Sequence, residues 1–169
     1  LTIFAVIFIL LVLAIGGVQG IRGLLSLAGS LLLILYVLIP GILEGYSPIL
    51  MSMAVSSLII VLGSYVTHGF NRTTSSAVIG MIITVMVTGA LAYWSVSMTH
   101  LTGFESDEAV YLNLSTRGGI DIVGILLSGI MIGLLGVLYD VAIGQAISVE
   151  ELHKIAPHVS RRKIYLRAL

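Results

Sequence analysis

Asp140 is the residue of this chain best suited to chemistry, because it stands in a long apolar run. Residues 122–149 carry no other charged side chain. A carboxylate inside a membrane span costs at least about 2.5 kcal/mol on insertion scales, and such residues usually face a partner or a hydrated path. Gln145 would place an amide near the same end of the helix. The two residues predict a site for an ion or a small polar solute.

Asp121 leaves a second interpretation open. It precedes Asp140 by about 28 Å of helix, at about 1.5 Å per residue, which is close to one hydrocarbon thickness. The two aspartates could therefore mark the two membrane interfaces. The chain also stays uncharged from Val141 to Val149, so the boundary could lie beyond Asp140. The sequence fits both interpretations, and Asp121 is therefore also a candidate ion-binding residue.

A stripe of small residues accompanies Asp140. At about 100° per residue it shares one helix face with Gly129, Gly133, Gly136 and Gly144. Small residues let transmembrane helices approach closely, as in small-x-x-x-small packing. The stripe predicts that this face packs against a neighbouring helix and that Asp140 points into the protein interior.

The end of this helix has two possible forms. Ser148-x-x-Glu151 has the spacing of a capping box. The helix could therefore break near Gly144 and restart at Ser148, which would free backbone carbonyls beside Asp140. One continuous helix is the favoured form.

Five apolar stretches must position these residues. The chain is 58% hydrophobic and 9% charged, and about twenty apolar residues cross a hydrocarbon core of about 30 Å. A backbone in lipid must satisfy its own hydrogen bonds, so we expect helices. Residues 1–147 form the predicted transmembrane domain, and residues 148–169 form a cytoplasmic amphipathic tail. The predicted spans are 1–20, 23–43, 48–67, 75–98 and 120–147.

Local signals predict the helix ends. Ser47-Pro48 combines a cap hydroxyl with a proline at the first helical position. Pro40-Gly41 predicts an end or a kink of the second helix. The polar run 73–76 offers caps for the fourth helix. The short segment 20–23 predicts a tight turn that folds the first two helices into an antiparallel hairpin.

The basic residues predict the orientation, because cytoplasmic loops concentrate Lys and Arg. Every basic residue except Arg117 falls on one side of the five-span arrangement. We expect a cell-membrane protein with its N-terminus outside and its tail in the cytoplasm. Residues 160–169 predict a basic amphipathic helix that binds anionic lipid. Residues 106–114 predict an interfacial helix, with a gate over an outer vestibule as the alternative.

Composition and motifs exclude several other classes. The chain has no cysteine, so it forms neither disulfides nor thiolate metal sites. No nucleotide-binding loop, zinc-protease motif or serine-hydrolase motif is present, and no nucleophile–base pair is visible. We therefore predict no enzyme, no cofactor and no metal site. A net charge of zero gives no general attraction to nucleic acid.

The last third of the chain carries a specific sequence pattern. It comprises the segment from Gly133 to Leu152, Asp121 ahead of residues 124–129, and Ala156-Pro157 followed by Ser160. This pattern resembles the signature of the YibE/F-like family of bacterial multi-pass membrane proteins, over about residues 120–169. Tyr139 stands where many relatives have a second aspartate, so the resemblance does not imply a paired-carboxylate site here. The family pattern continues beyond Leu169, which implies that the chain is a piece of a longer protein.

These observations predict an all-α polytopic transmembrane helix bundle. Members of the resembled family are usually regarded as transporters or permeases without an agreed substrate. We accordingly predict transport of an ion or small solute, with Asp140 as a buried carboxylate and Gln145 as its polar neighbour. The competing class is a non-transporting scaffold or accessory subunit. In that class the glycine stripe binds a second copy or a partner subunit, and Asp140 is a structural contact.

Overall fold

The computed structural model describes residues 2–99 and 121–155, and all its regular elements there are helical. A short π-helical segment, Ile34–Leu38, joins α1 to α2 without a break in the helical path. The helices are α1 (Thr2–Leu33), α2 (Ile39–Leu43), α3 (Pro48–His68), α4 (Arg72–Thr99) and α5 (Ile122–Ile155).

The first helix bends at Gly17, not at the predicted turn 20–23. Gly17 has φ 52° and ψ −132°, a left-handed conformation that glycine adopts without the steric cost of a Cβ atom. A Cβ atom on Gly20 would overlap the carbonyl oxygen of Val12. Those two residues are too far apart along a straight helix for such contact, so the bend at Gly17 is sharp. The predicted turn is therefore wrong in position, since residues 20–23 are helical.

Pro40 lies inside a helix that ends three residues later. A proline has no N–H to donate and clashes with the preceding turn of an α-helix. The wider π-helical turn immediately before it takes up that irregularity, as π-bulges do. The helix then closes in a Schellman motif, with Gly45 at φ 93° and Tyr46 N–H donating to the carbonyl of Gly41 at 3.1 Å. The predicted end or kink at Pro40-Gly41 thus takes the form of a π segment followed by a glycine cap.

Asn71 is the N-cap residue of α4, and the predicted caps at residues 73–76 are wrong. The backbone N–H of Thr74 donates to Asn71 Oδ1 at 2.7 Å, the N-cap geometry that satisfies a free amide of the first turn. At the start of α3 the prediction is confirmed in position, since Ser47 is the N-cap residue and Pro48 follows it. Ser47 makes no side-chain capping hydrogen bond.

The last helix, α5, is continuous through Gly144. Ser148 Oγ donates to the carbonyl of Gly144 at 2.9 Å, a bond within the helix that replaces the predicted capping box with Glu151. The favoured continuous form is therefore confirmed, and no carbonyl is released beside Asp140.

Helix α3 is the centre of the described bundle, in contact with α1, α4 and α5. Its neighbours run in alternating directions: α4 and the part of α1–α2 that follows Gly17 are antiparallel to α3, and α5 is parallel to it. The core around α3 holds Ile60 and Met81, which are almost fully buried. The contacts that fix these directions are Ser26 with Gly63, Gly41 with Met51, Met53 with Gly89, Tyr65 with Ser75, and Pro48 with Gly124.

Four helical stretches among the described residues are long and apolar enough to cross a membrane: Thr2–Leu43, Pro48–His68, Arg72–Ser95 and Ile122–Ile155. The first contains 42 residues and covers both of the first two predicted spans. The predicted interfacial helix at 106–114 and the basic amphipathic helix at 160–169 lie outside the described residues.

Candidate functional site

The interface between α3 and α5 is lined by small and polar residues, and we call it the polar seam. On α3 it comprises Ser52, Ser56, Gly63 and Thr67, which helical spacing places within one narrow stripe. On α5 it comprises Gly124, Ser128 and Tyr139. Ser52-x-x-x-Ser56 and Gly124-x-x-x-Ser128 both have the spacing that allows close helix approach. This small-residue interface of α5 lies on a different face from the one predicted to pack.

The buried hydroxyl groups around the polar seam fall into two kinds. Ser52 donates to the carbonyl of Ile49 at 2.9 Å, and Ser128 donates to that of Gly124 at 2.8 Å. Ser56 and Ser64, both 1% exposed or less, have no hydrogen-bond partner for their Oγ atoms among the described residues. An unpaired buried hydroxyl costs about 1–3 kcal/mol by mutational data. Alanine at either position would avoid that cost.

One end of the polar seam carries a cluster of three hydrogen-bonding side chains. Tyr139 reaches across from α5, and its hydroxyl lies 2.7 Å from Thr67 Oγ1. The Nδ1 atom of His68 lies 3.1 Å from the same oxygen, and Thr67 donates in turn to the carbonyl of Gly63. Thr67 Oγ1 can accept from both Tyr139 and His68 while donating its own proton. The cluster is half-buried, so it joins the interior hydroxyls to the end of the bundle.

Glu150 links α5 to the start of α4 at this same end. Its carboxylate accepts a hydrogen bond from Thr73 and lies 2.5 Å from the ammonium of Lys154. Two cavities lie beside this contact and share Glu150, Thr73 and Ala146 as lining residues. One is an open groove of about 630 Å³ between α4 and α5. The other, of about 130 Å³, includes His68 and Asn71 in its lining.

Asp140 faces away from the described bundle. It is exposed, and no described residue donates a hydrogen bond to it. Its neighbour Tyr139 reaches Thr67 and approaches Gly63, so Asp140 lies at the level of the last turns of α3. The described part of the chain therefore does not place this carboxylate in an interior, contrary to the prediction from the glycine stripe.

The four predicted packing glycines share that outward face. Gly129, Gly133, Gly136 and Gly144 are all exposed, and an added Cβ would meet nothing within 4 Å at any of them. No described helix covers them, so the packing partner predicted for them is not among the described residues. Other glycines are in close contact, among them Gly63 against Ser26, Gly89 against Met53, Gly41 against Met51, and Gly124 of α5 itself against Pro48.

The remaining candidates have separate locations. Asp121 is the N-cap of α5, accepting a hydrogen bond from the N–H of Gly124 at 2.9 Å, and it lies at the opposite end of α5 from Gln145. Gln145 is half-buried and lines the groove between α4 and α5. The structure thus brings none of Asp121, Asp140 and Gln145 together. Within residues 2–99 and 121–155, no group of three His, Asp or Glu side chains is arranged to hold a metal ion.

Sequence reasoning missed Thr67, Tyr139 and Glu150 as contact residues. Glu150 had a usable signal, since Glu150 and Lys154 have the i, i+4 spacing of a helical ion pair. Ser52, Ser56 and Gly63 also repeat at near-helical spacing along one face of α3, a pattern as regular as the glycine stripe on α5. The two stripes can be matched only once the neighbouring helices are known.

The length and apolar composition of these helices are typical of a membrane protein. The chain belongs to the YibE/F-like protein family, whose family model matches residues 4–169. That match extends well beyond the segment whose motifs carried the resemblance. No curated protein and no solved structure matches the chain.

Proposed function

We propose that this chain forms part of a membrane transporter for an ion or a small polar solute, and that the polar seam is its route. Five spans, with the N-terminus outside, remain our proposed arrangement. The observation that carries the proposal is the buried hydroxyl of Ser56, which lies in the polar seam and has no hydrogen-bond partner among the described residues. Ser64, outside the seam, is unpaired in the same sense, and both lie on α3, the helix that contacts all the other described helices.

A purely structural role explains these two serines poorly. Serine can serve as a small packing residue between transmembrane helices, but alanine would do so without an unpaired hydroxyl. Ser52, Ser57 and Ser128 bond to carbonyls in their own helices. Ser56 and Ser64 keep free hydrogen-bonding capacity inside the bundle, as a passing ion or solute requires. The Tyr139–Thr67–His68 cluster continues this polar path to the end of the bundle.

The test replaces each serine by alanine in the full-length protein and measures both stability and flux. Removing an unpaired buried hydroxyl should raise the free energy of unfolding by about 1 kcal/mol. Liposomes loaded with pyranine, or with a potassium-sensitive dye, report proton and potassium flux. We expect Ser56→Ala to reduce flux severalfold while the folded yield is kept or increased, and Ser64→Ala, which lies outside the seam, to raise stability with a smaller effect on flux.

Ser148→Ala is the matched control, because Ser148 is exposed and bonded within its own helix. It should leave flux unchanged. Wild-type flux in Ser56→Ala would remove the seam as the route. Absence of proton and potassium flux in the wild-type protein would count against transport of these ions.

Asp140 takes part in the proposed transport only if another element covers the face of α5 that carries Gly129, Gly133, Gly136 and Gly144. In that case Asp140→Asn should lower flux while preserving the fold, since the described chain makes no contact that the substitution breaks. Unchanged flux in Asp140→Asn would remove it as the coupling carboxylate.

The scaffold function is the second candidate, and the same open face favours it. Four glycines and one carboxylate, uncovered on a helix of membrane-spanning length, fit an assembly surface for a second copy or a partner subunit. Gly136→Cys tests this directly, because the chain has no native cysteine. Rapid disulfide crosslinking between copies at position 136, but not at Ser76→Cys, would support assembly through this face.

A further inference from the structure

The groove between α4 and α5 has a polar end and an apolar end. Its apolar floor is made of small side chains, Ala77 and Gly80 from α4 with Ala142 and Ala146 from α5. Its mouth is formed by the first turn of α4 and the end of α5. The volume of about 630 Å³ is in the range of sites for molecules of moderate size.

The change in polarity follows the direction of the helices. Arg72 begins α4, and Ala77 and Gly80 lie one and two turns further along it. The groove therefore runs from the end of the bundle inward along the helices. A bound molecule would place a polar group beside Arg72 and an apolar chain beside Gly80. Gln145 lies between the two regions and offers an amide at mid-depth.

The mouth offers one basic side chain that has no carboxylate partner among the described residues. Arg72 forms no ion pair with a described residue, whereas the carboxylate of the groove lining, Glu150, is already paired with Lys154 and accepts a hydrogen bond from Thr73. His153 places an imidazole at the rim. The free guanidinium therefore favours an anion, and guanidinium groups bind phosphate oxygens with two parallel hydrogen bonds.

We propose that this groove binds an anionic phospholipid, with the phosphate at Arg72 and an acyl chain over Ala77 and Gly80. A basic pocket between transmembrane helices at the cytoplasmic face is a recognised site for anionic headgroups. The site does not depend on the transport route, because Ser56 and Ser64 do not line this groove. It is also separate from the basic tail at 160–169.

The experiment titrates the full-length protein in detergent with phosphatidylglycerol and, separately, with phosphatidylcholine of the same acyl chains. Binding is read from the rise in unfolding temperature with lipid concentration. One basic residue near a membrane surface contributes about 1 kcal/mol, so Arg72→Gln should weaken phosphatidylglycerol binding about fivefold. Gly80→Leu should weaken both lipids, because it fills the apolar end where a Cβ meets nothing within 4 Å.

Arg22→Gln is the control, since Arg22 lies near the same end of the bundle but does not line the groove. It should bind phosphatidylglycerol as the wild type does. Equal weakening in Arg22→Gln and Arg72→Gln would overturn the site in favour of general surface charge. Equal protection by glycerol phosphate, which has no acyl chain, would also overturn it. If Gly80→Leu dissociates an oligomer in the absence of lipid and leaves lipid binding unchanged, a second copy of the chain occupies the groove and the lipid site is wrong.

Discussion

The same substitution at two glycines of α5 should change stability in opposite directions. Gly124 is buried and Gly133 is exposed, and both belong to one helix. At Gly124 an added Cβ would overlap the carboxylate of Asp121 and lie 3.0 Å from Cγ of Pro48. At Gly133 it would meet nothing within 4 Å. Alanine at the two positions therefore compares the same chemical change in two surroundings.

The expected magnitudes come from these contacts. In Gly124→Ala the Asp121 cap is displaced, which costs about 1 kcal/mol, and overlap with the rigid proline ring costs about 1–3 kcal/mol. The better helix propensity of alanine returns up to about 1 kcal/mol. We expect a net loss of about 1–4 kcal/mol. Gly133→Ala gains the propensity without the overlap, and we expect it to be more stable than the wild type by about 0.5–1 kcal/mol.

Reversible unfolding in mixed micelles, with increasing SDS and followed by circular dichroism, measures both free energies. Gly124→Ala should unfold at lower SDS than the wild type, and Gly133→Ala at higher SDS. If Gly124→Ala proves as stable as Gly133→Ala, the parallel packing of α5 on α3 at Pro48 is wrong. A destabilised Gly133→Ala would instead show that the open face of α5 is covered by another chain segment or a second copy.

Two further predictions follow from the helix ends. Phe70→Cys should be labelled by a membrane-impermeant maleimide only after the cells are opened. Position 70 is 85% exposed and lies in the basic turn that we propose to be cytoplasmic. Labelling in intact cells would show that the orientation is the reverse. Asn71→Ala should lower the free energy of unfolding by about 1 kcal/mol, since it removes the cap of α4. Ser75→Ala leaves that cap intact, so it should lower the free energy of unfolding less in the same SDS titration.

The helices themselves were predictable because a backbone in lipid has few alternatives. Long apolar runs predicted α3 and α4 nearly within their observed bounds, and Ser47-Pro48 marked the start of α3. The predicted end of α5 at residue 147 is too early, because the helix continues to Ile155. The helix ends were less predictable. Asn71 was preferred over four later hydroxyl residues as the cap of α4, and Gly17 was preferred over the pair Gly20 and Gly23 as the bend. Several residues could make each of these local contacts, so the sequence alone did not select one.

The inward face of α5 was not predictable from its own sequence. In a water-soluble helix the polar face is outside, but lipid is as apolar as a protein core and gives no such signal. The helix has small residues on two faces, one through Gly124 and Ser128 and one through Gly129 and Gly133. The packed face is the one that meets the hydroxyl-bearing stripe of α3. That choice depends on two helices at once, and it moved the candidate site from Asp140 to Tyr139.

The unbroken course of α5 connects the polar seam to the end of the bundle. Its 34 residues extend about 51 Å at about 1.5 Å per residue, well beyond a hydrocarbon core of about 30 Å. Tyr139 lies in the seam, and Glu150, near the C-terminal end of the helix, contacts Thr73 in the first turn of α4. Because no break separates them, Glu150 and Tyr139 are joined by about three turns of one helix. Loss of the Glu150–Thr73 contact would therefore free this end of the helix and change the position of Tyr139 beside Thr67.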